Sequence, residues 1–141
     1  MKKLLIVSHG SLAKGLVSSL KVILGDSVDV NFCCLEEGMG IEKFRELLEP
    51  IIDNISEANQ IIVLADLMGG SPYNATLDIL RNKEILDKSI VISGVNLPLA
   101  LNLLLAEGEI SKEEVENISS YAKDSINIFE VDLGSDLEED I

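Results

Sequence analysis

Residues 2–25 read KKLLIVSHGSLAKGLVSSLKVILG. The aliphatic run "LLIV" breaks at Ser8-His9-Gly10-Ser11, and beyond it apolar residues recur at helical spacing until Gly25. Short continuous apolar runs mark strands buried on both faces, whereas a period of three to four residues marks an amphipathic helix. The stretch predicts a strand over about 3–8 and a helix over about 11–24, joined by a turn that carries the chain's only histidine. Loops on a rigid scaffold are where chemistry is usually placed.

The alternation continues along the 141 residues: strands near 28–34, 60–65 and 89–93, helices near 41–55, 73–82, 97–107 and 111–124, and a last strand near 126–133. Pro50 falls inside "IEKFRELLEPIIDNI" and predicts a kink or two short helices there. Pro98 fits the first turn of its helix, where a missing N–H costs nothing. Alternating strands and helices predict a single-domain α/β fold, a mostly parallel sheet with helices on both faces. The folded domain is expected over 1–133, with residues 134–141 as an acidic tail. In the common strand order 2-1-3-4, strands 1 and 3 are neighbours whose following loops leave toward opposite faces, opening a crevice. That order brings His9 beside Asp66 and the turn in "ADLMGGSPYNA" (65–75).

Composition narrows the classes of function. The chain is 47% hydrophobic but only 4% aromatic, so its core is aliphatic. The formal charge of −14 argues against a hold on nucleic acid or on an anionic membrane surface, which needs Lys and Arg. Six of the acids lie within residues 130–141, yet residues 1–129 still set 11 bases against 19 acids. A field of this sign favours a basic protein partner over a free anionic metabolite. "MKKLLIV" resembles the start of a signal peptide, but His9 and Lys14 interrupt it, and "LPLALNLLLA" is far short of the ~20 residues that span a bilayer. A cytoplasmic protein without membrane insertion is expected. Cys33 and Cys34 are adjacent, so they point to opposite faces of a strand; with no other cysteine they read as one core and one surface residue, not as a disulfide or zinc site.

Imidazole side chains titrate near pH ~6.5 in water, so histidine offers a nucleophilic nitrogen at neutral pH. Asp66, ending the third strand, can accept a hydrogen bond from one ring nitrogen, fix the tautomer and leave the other nitrogen free, as a carboxylate does in hydrolytic triads. "MGGSP" can supply donors to an incoming phosphoryl group: the Gly69 and Gly70 backbone, the Ser71 hydroxyl and a helix N-terminus, with Gly10 and Ser11 at a second helix start. An exposed helix dipole is worth only ~0.3–1 kcal/mol, whereas one preorganised donor supplies ~2.7–4 kcal/mol at a transition state. Each feature alone is commonly structural; their convergence on one crevice points to phosphoryl chemistry on His9. Other phosphate chemistries lack their residues: there is no GxxxxGK[ST] loop, and "GMG" (38–40) lacks the third glycine of a dinucleotide fingerprint. "VSHG" replaces the acidic pair of a response-regulator receiver, and the "RHG" and second histidine of a histidine phosphatase are missing.

Three stretches, "IVSHG" (6–10), "LADLMGGSPYNA" (64–75) and "SGVNLPLAL" (93–101), occur in order on these elements. With them the chain resembles the IIA component of the mannose family of the phosphoenolpyruvate-dependent sugar phosphotransferase system (PTS). The resemblance implies a phosphocarrier that takes a phosphoryl group from the phosphohistidine of HPr and passes it to a IIB protein, for the membrane components IIC and IID. It needs no nucleotide, cofactor or metal. By motif, His9 is the phosphoacceptor through Nε2, Asp66 its orienting partner, and Ser71 with the Gly69-Gly70 backbone the phosphoryl site. Asn96 lines the rim, and Met68 stands where relatives often carry an aromatic. The resemblance also implies a homodimer, in which "INIFEVDL" (126–133) adds as an antiparallel edge strand to a neighbour's sheet. Two further readings are a phosphocarrier subunit of a dihydroxyacetone kinase system, which lacks the "GGSPYN" turn, and a non-catalytic binding module of the same fold.

Overall fold

The computed structural model describes residues 1–131. Four strands form one sheet: β1 (Lys2–His9), β2 (Val30–Leu35), β3 (Gln60–Ala65) and β4 (Ser89–Ser93). Five helices connect or follow them: α1 (Leu12–Leu24), α2 (Ile41–Ile55), α3 (Ser71–Asn82), α4 (Leu97–Leu105) and α5 (Lys112–Asp124). All pairings are parallel and the order is β2-β1-β3-β4. This is the expected architecture, and its cause is the alternation itself, since each crossover helix covers the strand pair it connects.

Alternate residues of the central strands feed two separate cores. Leu4, Ile6, Ile62 and Leu64 pack under α1, α4 and α5, while Leu5, Val7, Ile61 and Val63 pack with α2 and α3. Both faces are covered, which corrects the expectation for the cysteine pair: Cys33 joins one core, Cys34 the other, and both are buried. Helix α2 is one helix, not two. Phe44, Leu48, Ile52 and Ile55 form its buried stripe, while Pro50 lies on the exposed side, where the carbonyl it cannot bond can meet water.

Most boundaries agree with the sequence to within about two residues. Helix α3 begins earlier than expected, at Ser71, with Pro72 in its first turn. Residues 126–131 follow α5 without assigned secondary structure, and Ile126, Ile128, Phe129 and Val131 are exposed. The expected strand there is thus unpaired in the single chain, its last two residues and the acidic tail lying outside the described residues. No helix among the described residues is long and apolar enough to cross a membrane.

Candidate functional site

The site stands at the carboxyl end of the sheet, where β1 and β3 lie side by side with Val7 paired to Ala65. His9 comes two residues beyond Val7 at the end of β1, and Asp66 one residue beyond Ala65, just past β3. The Asp66 carboxylate oxygen Oδ2 accepts two hydrogen bonds from the same residue, from the His9 backbone N–H at 2.8 Å and from the ring at Nδ1, 2.9 Å away. An ionised carboxylate only accepts, so in the neutral imidazole the proton belongs on Nδ1 and the lone pair on Nε2. The imidazole is 47% exposed whereas the Asp66 side chain is 11% exposed, so a half-exposed ring stands beside a sheltered carboxylate. The other carboxylate oxygen, Oδ1, is buried with no hydrogen-bond partner among the described residues.

The turn after Asp66 is built around two glycines with different tasks. The Gly70 N–H donates to the Leu67 carbonyl at 3.2 Å, closing a four-residue turn whose third residue, Gly69, has φ +79°. A positive φ at that position is what a type II turn demands and what glycine supplies. Gly70 has ordinary backbone angles (φ −73°, ψ 167°) but no room for a side chain: a β-carbon there would lie 2.8 Å from His9 Cε1 and 3.5 Å from Nε2. The imidazole therefore rests against the Gly70 backbone. Because its N–H is already spent inside the turn, Gly70 fits its sequence-derived role as a donor less well than a role as the floor under the ring.

Donors remain nearby. Ser71 opens α3, exposed and with a free hydroxyl among the described residues, and the N–H groups of Ser71 and Tyr73 likewise have no partner there, Pro72 between them having none to offer. Ser11 sits at the start of α1 with its hydroxyl making no cap bond. Gly10 is pinned by its N–H, which donates to the Leu35 carbonyl at 2.7 Å. Met68 is 75% exposed at the turn's apex beside exposed Leu67, an apolar rim. Asn96 is committed elsewhere: its Oδ1 accepts the Leu99 N–H at 2.9 Å and its Nδ2 donates to the Ala122 carbonyl at 3.2 Å, so it caps α4 and ties it to α5. Among the described residues no three His, Cys, Asp or Glu side chains gather to hold a metal ion.

Sequence reasoning missed two contributors. Asn74 Nδ2 donates to the Gly69 carbonyl at 3.0 Å and braces the glycine turn from within α3. Ser8, fully buried, accepts the Ala13 N–H on its Oγ at 2.8 Å. A signal for Ser8 was present, since it is the one buried polar residue on the face of β1 that presents Leu4 and Ile6 to the core, Lys2 at the strand's start being only partly buried.

Comparison with known proteins now bears on this geometry. The model of the EIIA-man family, described as the PTS system fructose IIA component, matches residues 3–120. The chain belongs to the EIIA-man family. As an EIIA-man protein it is a phosphocarrier of the sugar phosphotransferase system, passing phosphate toward a IIB component for sugar uptake. Among its relatives, the fructose-specific EIIA component of Bacillus subtilis (strain 168) is 27% identical over 129 residues, 91% of this chain and 86% of that one. The mannose-specific EIIAB component of Escherichia coli (strain K12) is 28% identical over 106 residues, 75% of this chain but only 32% of the longer protein. The crystal structure of the phosphotransferase system component EIIA from Streptococcus agalactiae superposes with a TM-score of 0.75 at 29% identity, covering 96% of this chain and 99% of that one.

Proposed function

We propose that this EIIA-man protein carries the phosphoryl group on Nε2 of His9. The observation that carries the reading is the 2.9 Å contact between His9 Nδ1 and Asp66 Oδ2, which leaves Nε2 as the only free ring nitrogen. Nε2 attacks the phosphorus of a phosphohistidine on HPr. A new N–P bond forms, the donor's N–P bond breaks, and the donor imidazole leaves with the electron pair. The proton on Nδ1 stays, so the phosphorylated ring is cationic and faces the sheltered Asp66 carboxylate, which stabilises the developing charge. Ser71, Ser11 and the unpaired N–H groups at the two helix starts receive the phosphoryl oxygens, with Gly10 and Gly69 shaping the backbone around them. The nucleophile of the IIB protein then reverses the sequence.

The half-exposed imidazole and the apolar Leu67-Met68 rim suit docking of a protein rather than enclosure of a small molecule. The net negative charge suits a basic one. The work is placed in the cytoplasm, with IIC and IID met only through IIB. We also place the chain in a homodimer: segment 126–131 adds to the open edge of β4 in a second copy, where a groove of about 580 Å³ runs beside Ile90, Ile92 and Val115.

Intact mass after incubation with phosphoenolpyruvate, Enzyme I and HPr tests the relay. Wild type gains one acid-labile, base-stable phosphoryl group and His9→Ala gains none. If carriers from the same organism, active on another acceptor, leave the wild type unmodified, the reading fails.

A further inference from the structure

We propose that Ser8 is a positioning residue for the nucleophile: its buried hydroxyl sets the course of the loop that carries His9. The inference rests on the relay reading above and names a residue which that reading leaves out. The Oγ makes two bonds in opposite senses, accepting the Ala13 N–H at 2.8 Å and donating to the Gly10 carbonyl at 3.1 Å. One atom thus fastens both sides of the five residues 9–13, and His9 is the first of them. It is fully buried, with Cys34 Sγ 4.0 Å away as its one further hydrogen-bond partner among the described residues.

Two consequences follow for the site. First, the chain leaving His9 is held at Gly10 on two sides, by the Ser8 hydroxyl at the carbonyl and by the Leu35 carbonyl at the N–H. The imidazole is then fixed from behind by the loop and from the side by Asp66. Second, the hydroxyl chooses which helix-start donors stay available. The Ala13 N–H is drawn inward, whereas those of Ser11 and Leu12 have no partner among the described residues. Ser8 acts as the side-chain cap of α1 from outside the usual position, since Ser11 at the helix boundary makes no cap bond.

Ser8→Ala removes both bonds while keeping the strand. The ring then shifts relative to Asp66, and misplacement of a reacting group by about an ångström costs on the order of 10²-fold in rate. The test is single-turnover phosphorylation by phospho-HPr on wild type, Ser8→Ala and Ser8→Thr, with amide exchange of Ala13 read by NMR on the wild type. Expected are a ~10–100-fold slower maximal rate in Ser8→Ala with donor affinity within about twofold, recovery in Ser8→Thr, and a slowly exchanging Ala13 amide in the wild type. A folded Ser8→Ala at wild-type rate, a Ser8→Thr as slow as Ser8→Ala, or a fast-exchanging Ala13 amide overturns the proposal. Should Ser8→Ala not fold, the Ala13 exchange and the Ser8→Thr rate still decide it. A wild type that takes no phosphoryl group counts against the relay itself; the Nδ1 proton resonance of His9, downfield in wild type and moved in Ser8→Ala, then tests positioning separately.

Discussion

At Gly70 the side chain is excluded by the imidazole, whose Cε1 stands 2.8 Å from where a β-carbon would go, while the Leu67 carbonyl at 3.4 Å is an ordinary contact. Gly70→Ala is therefore expected to push the ring off Asp66, lowering the phosphorylation rate on the order of 10²-fold while the melting temperature changes little. A wild-type rate, measured by quenched-flow phosphorylation, would show that the ring has slack. The carboxylate beneath can be examined in the same way: Asp66→Asn keeps an oxygen for the Nδ1 proton but removes the charge facing a cationic ring. Its rate should fall ~10²–10⁴-fold, and equality with wild type would take Asp66 out of the chemistry. At Cys33, burial pushes the thiol up to about 11, so at pH 8 it stays protonated and unreactive. Iodoacetamide at that pH should leave Cys33 unmodified in the folded protein and label it in urea, as peptide mapping would report. The pairing of His9 with Asp66 was legible in the sequence because strand order alone makes their positions adjacent. The role of Ser8 was not, since its bond to Ala13 spans five residues and matches no capping spacing read from sequence.

Among the elements, α4 is the informative case. Sequence reading put Asn96 near the site because its loop follows a strand at the reactive end; the amide instead holds the first turn of α4 and the last turn of α5. Helix caps of this kind contribute about 1 kcal/mol. Asn96→Ala should lower stability by roughly that amount in thermal unfolding and leave the phosphorylation rate unchanged. A large loss of rate without loss of stability would return Asn96 to the rim. Why the elements themselves were legible and this contact was not is a matter of range. Strand and helix follow from periodicities of a few residues, whereas a cap that reaches Ala122 across 26 positions depends on how two helices pack.

Across the molecule, the edge of the sheet at β4 is unpaired among the described residues and the segment 126–131 exposes apolar side chains, two surfaces of complementary need. Ile128→Pro removes a backbone donor from that segment and should turn the proposed dimer into a monomer by sedimentation; a dimer that persists would mean strand addition is not what holds it. The dimer was expected from the family resemblance and not from periodicity, which does not say which edge a strand joins. The parallel sense of all four strands has a consequence of its own. Every loop that follows a strand emerges at one end, so the proposed relay has a single mouth for phosphoryl groups to enter and leave. Donor and acceptor must take turns at it. Steady-state turnover should then trace parallel double-reciprocal lines, with surplus dephosphorylated donor competing against the acceptor. Intersecting lines would mean that a second entrance exists.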